Sequence, residues 1–139
     1  MLAGVNRRLT GLIVVAALAG CSSGDEGDEP KSAKGAPKAV GEAIDRLERA
    51  AVGRDFGVIC NDLFTDDARE RAGGDDCAKL LRATTKEIRE PAIRVLSIRV
   101  EGDTADVRVR SSAEDQGAVE ETIELVRDGQ EYRIEALGD

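Results

Sequence analysis

The sequence predicts an α+β domain, with three to four N-terminal helices packed on a curled, four-stranded antiparallel meander. Three observations carry this. Between Pro37 and Glu90 the apolar residues recur with helical period, and after Pro91 they alternate with period two. Gly102-Asp103 and Asp128-Gly129 then supply tight turns that cut the alternating part into strands. Helices followed by strands along one chain give a layered α+β arrangement.

The helical part reads in order. Pro37 suits a first helical turn, where its missing N–H is no loss. Val40, Ala43, Ile44, Leu47, Ala50 and Ala51 then share a face, and Gly53 ends the helix. Glu42–Arg46 and Asp45–Arg49 stand at i, i+4 in the favourable order. Asp55 can cap a second helix, in which Phe56, Ile59, Cys60, Leu63 and Phe64 lie on one side. Thr65 caps a short third piece, with Asp66 and Asp67 in its first turn, and Gly73-Gly74 stop it. Asp75 or Asp76 opens a longer helix reaching Glu90, whose face holds Cys77, Leu81, Thr84 and Ile88.

In the strand part, folding at Gly102-Asp103 sets Leu96 opposite Val109, Ile98 opposite Val107 and Arg99 opposite Asp106. Folding at Asp128-Gly129 sets Leu125 opposite Tyr132, Ile123 opposite Ile134 and Glu124 opposite Arg133. Residues 112–117 link the two hairpins. Both registers gather the apolar residues on one face and an ion pair on the other.

Of the 139 residues, 41% are hydrophobic but only 2% are aromatic, so the core must be aliphatic. The net charge is −8 and no segment concentrates Lys or Arg, so nucleic-acid binding is not expected. Asp62, Asp66, Asp67, Asp75 and Asp76 cluster near the cysteines, but their spacing lacks the alternation and central Gly of a calcium loop. Neither a metal nor a cofactor is expected.

The N-terminus carries a different signal. Arg7 and Arg8 precede an apolar run from Leu9 to Ala19, which as a helix would span about 16 Å. That is too short for a bilayer core of about 30 Å and suits an export signal. Leu18-Ala19-Gly20-Cys21 resembles the lipobox of bacterial type II signal peptides. The resemblance implies that residues 1–20 are removed and that Cys21 is acylated. The chain is then held by membrane lipid on the extracytoplasmic face. Losing Arg7 and Arg8 takes the net charge from −8 to −10. The acidic body has no basic patch with which to lie on anionic lipid. Residues 21–36 form an acidic linker of Ser, Gly, Asp, Glu, Lys and Pro, reaching roughly 20 Å as a flexible coil. Residues 37–139 form the single folded domain.

Lipidation of Cys21 leaves Cys60 and Cys77 as a pair in an oxidising compartment. Each lies on an apolar helix face, so a Cys60–Cys77 disulfide is expected.

The order of helices and meander, and the ending Asp128-Gly129-Gln130-Glu131-Tyr132-Arg133-Ile134, resemble the nuclear transport factor 2-like (cone-shaped α+β) superfamily. Cys60 to Leu81 resembles small exported lipoproteins of high-GC Gram-positive bacteria. Enzymes of that superfamily, among them isomerases, dehydratases and cyclases, use a pocket acid, a Tyr or an Asp–His set. This chain has no His. Its candidate pocket residues are Tyr132 and Glu121, both on the inward face. The leading expectation is a lipid-anchored, non-catalytic domain that binds a small apolar ligand or another envelope protein. An acid–base enzyme and an envelope spacer remain as alternatives.

The anchor is directly testable. Wild-type protein should enter the detergent phase and take up radioactive palmitate, and Cys21→Ser should do neither. Labelling that persists in the variant would sink the lipidation.

Overall fold

The computed structural model describes residues 35–138. The signal segment, Cys21 and most of the linker lie outside them. Helix α1, Ala36–Val52, has Pro in its first turn and Gly53 at its C-terminus. It buries Val40, Ala43, Ile44, Leu47 and Ala50, the predicted face. Among the described residues the surface pairing differs from expectation. Lys38 meets Glu42 within the helix, and Arg46 reaches across to Glu131 instead of pairing with Glu42.

One turn of helix, α2 (Phe56–Val58), follows, with the Asp55 carboxylate accepting from the Val58 N–H at 3.2 Å. It runs into a π-helical segment, Ile59–Leu63, closed by the Phe64 N–H donating to Ile59 O at 2.9 Å. The extra residue per turn keeps Ile59, Cys60, Leu63 and Phe64 all buried. Helix α3, Asp66–Arg71, is capped by the Thr65 hydroxyl, which accepts from the Ala68 N–H. Gly73 and Gly74 end it at φ 116° and 58°, and a side chain at Gly73 would collide with Leu80.

Two expectations for the next helix fail. Asp76 stands at the N-cap position, but its side chain makes no capping hydrogen bond; a 3₁₀ turn, Gly74–Asp76, leads in, and Asp75 pairs with Arg69 at 2.9 Å. Helix α4, Cys77–Thr84, stops well before Glu90, leaving Ile88 outside it. The cause is local. The Thr84 and Thr85 hydroxyls turn back onto the Leu80 and Leu81 carbonyls, at 3.0 and 2.6 Å, and offer an alternative to helix continuation. The chain then crosses to the sheet, with Arg89 O accepting from the Glu114 N–H at 2.8 Å and Glu90 at φ 45°.

The sheet is an antiparallel meander in the order β1-β2-β3-β4. Its strands are β1 (Ala92–Glu101), β2 (Thr104–Ala113), β3 (Gln116–Asp128) and β4 (Glu131–Leu137). Residues 112–117 thus form a third tight hairpin, since β2 and β3 run to Ala113 and from Gln116. Ile98 faces Val107 and Arg99 faces Asp106 as expected, but Val95, not Leu96, faces Val109. Leu96 is the extra residue of a bulge and is exposed.

The last hairpin is displaced by two near its turn and by three beyond the bulge at Glu135. Leu125 faces Ile134, Arg127 faces Tyr132 and Ile123 faces Leu137. The reason is that Gly takes the first central turn position here, with Gly129 at φ 65°, as Gly102 does at φ 59°. The turn is therefore Gly129-Gln130. A shift of two preserves the faces, so the inward set survives, while the predicted cross-strand ion pairs do not form. Arg99 pairs with Glu101 and Arg133 with Asp128.

Irregularities in all three strand pairings bend the sheet. Its concave face sets Val107, Val109, Ile123, Leu125, Tyr132 and Ile134 against Val40, Ile44 and Leu47 of α1, all buried. A disulfide joins Cys60 to Cys77, with Cα atoms 6.1 Å apart. It ties α4 to the π-helical segment. Opening this link, which spans 17 positions, should remove about 3 kcal/mol. The double variant Cys60→Ala/Cys77→Ala should therefore melt more than about 10 °C lower by calorimetry. An unchanged melting temperature would show that packing alone holds α4.

Candidate functional site

A cleft of about 170 Å³ lies between the end of α1, the α2 and π-helical segments, α4 with the tail that follows it, and the end of β4. Leu47, Phe56, Ile59, Leu81, Ile88 and Leu137 make its wall almost wholly apolar. The wall depends on the disulfide, because α4 packs against α2 and the π-helical segment. The early end of α4 contributes as well. It frees the chain from Thr85 to Pro91 to fold over the opening. Among the described residues no helix is long and apolar enough to cross a membrane.

Neither sequence-predicted pocket residue lines this cleft. Glu121, on β3, pairs with Val109 of β2, and its carboxylate accepts a short hydrogen bond from the Ser111 hydroxyl. It lines a more open depression with Ile93, Ser112 and Val119, which adjoins the cleft and shares Ile88 and Pro91 with it. Tyr132 is opposite Arg127, six residues further along β3. At about 3.3 Å per residue the two side chains start about 20 Å apart, so they share no site. The Tyr132 ring is 2% exposed, its hydroxyl is buried and makes no hydrogen bond among the described residues, and the Arg127 guanidinium lies 5.7 Å from its centroid. Among the described residues no group of acids or cysteines is arranged to hold a metal ion.

A second polar cluster sits where the helices meet β4. Phe64 bridges to Ile134, and the Thr65 N–H donates to Ile134 O at 2.9 Å. Beside it, Glu135 is the bulged residue between Ile134 and Ala136. The bulge turns its carboxylate toward the helices. There the Thr65 hydroxyl donates at 2.6 Å and Arg71 at 3.0 Å, and Arg71 also donates to the Glu135 carbonyl. The Thr65 hydroxyl bond, then the Arg71 bond and charge, hold the Glu135 pKa below the ordinary carboxylate range, outweighing partial burial. The sequence showed Thr65 as a cap but carried no signal for this second role, because a β-bulge has no fixed motif. The cleft was equally hidden, since it needs α4 to end early.

No protein-family model and no curated protein matches the chain. Two designed proteins of solved structure are similar in shape. One is a de novo designed protein with a curved β-sheet, at 19% identity and a TM-score of 0.51, over 72% of this chain and 99% of that one. The other is a de novo designed NTF2-fold protein, at 16% identity and a TM-score of 0.45, over 73% and 82%. The first shares the helix-then-curved-sheet fold.

A depressed carboxylate pKa stabilises above the ordinary value, and the benefit is lost as pH falls through the folded value. Glu135→Gln should thus destabilise by about 1 kcal/mol at neutral pH. The difference should begin to shrink as pH falls through the ordinary Glu value of about 4.3, and vanish only below the depressed folded value. Thermal melts across pH check this. A gap of constant size from pH 7 down to the acid limit of the melts would point to packing instead of charge.

Proposed function

We propose that this chain is a lipid-anchored protein of the extracytoplasmic membrane face whose domain binds a ligand without catalysis. The apolar cleft carries the reading. It is concave and apolar-lined, and its wall is held by a covalent bond that needs no hydrophobic mass to maintain. The lipobox-like Leu18 to Cys21 and the disulfide both suit export to an oxidising compartment. The finer kinship to the cone-shaped nuclear transport factor 2-like superfamily belongs to this proposal too. It rests on the order of helices and meander and on the last hairpin.

Glu121 does not favour an enzyme. Its carboxylate accepts from Ser111 and lines not the cleft itself but the more open depression beside it, which shares Ile88 and Pro91 with the cleft. Protein taken from its own host's membranes and examined by native mass spectrometry should carry a bound small molecule. A Leu81→Trp variant, which fills the cleft, should lose it. Equal retention by both proteins would show that the cleft is not the site.

A further inference from the structure

Phe56, in the cleft wall, has two guanidinium groups near its ring. Arg54 lies 5.4 Å and Arg82 5.8 Å from the centroid. On this acidic surface Arg46, Arg69, Arg71, Arg99, Arg108 and Arg133 each hold a carboxylate. Arg54 and Arg82 hold none among the described residues, as is also true of Arg49, Arg89, Arg94 and Arg110; what sets these two apart is their place over the Phe56 ring in the cleft wall. Asp55, next in sequence, is turned to its own cap. Arg54 Nη1 donates to Thr85 O and Ile88 O, both at 3.4 Å, across the mouth of the cleft. Its Nε and Nη2 are left without a partner among the described residues. The tail beyond α4 adds Lys86 and Arg89, set against Glu87 and Glu90.

Arg54 also sits at φ 54°, a conformation that side chains rarely adopt. Glycine would be the unstrained choice there, so the backbone does not account for an arginine. The side chain does account for it, if a charge is wanted at the mouth. A guanidinium already oriented over a ring presents a planar fork that matches a carboxylate. The size of the cleft limits the rest of the ligand. Its volume, about 170 Å³, is close to the roughly 150 Å³ of an apolar cavity that takes benzene.

We infer that the cleft binds a small amphipathic carboxylate, with one apolar group of about benzene size against Phe56 and Leu81 and the carboxylate on Arg54. Arg82 adds positive charge beside it. This inference rests on the ligand-binding reading above and names the class of its ligand.

The test uses the full chain carrying Cys21→Ser, which lacks the proposed acyl group and so any competing lipid. 3-Phenylpropionate is titrated by NMR against 3-phenylpropanol, its neutral counterpart. The carboxylate should shift the amides of Ala51, Arg54, Leu81 and Ile88, and should bind at least about ten-fold tighter than the alcohol. Arg54→Gly suits the local backbone and should melt no lower than the parent. It should bring the two probes to within about two-fold of each other. Arg82→Gln should narrow the preference less. If the alcohol binds the parent as tightly as the acid, or if Arg54→Gly leaves the preference unchanged, the carboxylate inference is overturned while the ligand-binding reading stands. If neither probe shifts the cleft, the inference also falls, and native mass spectrometry then decides the broader reading by itself.

Discussion

The disulfide between Cys60 and Cys77 is the constraint on which the helical layer depends. The chain has two Phe and one Tyr, and all three are buried. The rest of its core is Val, Ile, Leu and Ala, which bury less area per residue. Helix α1 and the sheet bury a shared aliphatic core, through Val40, Ile44, Val107, Val109, Ile123 and Leu125. Helix α4 is different. It buries only Cys77 fully, and it exposes Leu80. A covalent link replaces the apolar contact that α4 lacks, and so leaves its Leu81 side free to wall a cleft.

The faces of this fold were legible in the sequence because periodicity is a global property. Phe56 to Phe64 read as one buried face and is one, even though the segment is partly π-helical. The caps Asp55 and Thr65 were legible because a cap is a local hydrogen bond. The Cys60–Cys77 link followed from counting cysteines. What escaped reading depends on small local choices with no pattern. Whether Gly129 takes the first or second central position of its turn moves the last hairpin by two residues. The bulges at Leu96 and Glu135 obey no periodicity either. Nor does the sequence show that Tyr132 and Glu121, on the same strand pair, lie at opposite ends.

Charge is arranged with more discrimination than the net value suggests. Most ion pairs here are exposed and contribute little each. Glu135 is an exception, because a bulge aims it at two donors on other elements and so joins β4 to α3. Arg54 is the counterpart, a cation set in a strained backbone beside an apolar wall.

The strand order has a consequence for how the chain folds. Each strand pairs with its neighbour in sequence, across turns of two residues. Such a sheet can zip up hairpin by hairpin, with little loop entropy lost at each step. The bonds that span the chain are few. Arg46 to Glu131, Thr65 to Ile134 and Arg71 to Glu135 join residues about 65 to 85 positions apart. Those contacts bring the highest entropic demand and so belong to the latest stage of assembly, after the meander exists. A domain built this way commits its sheet early and docks its helical edge last.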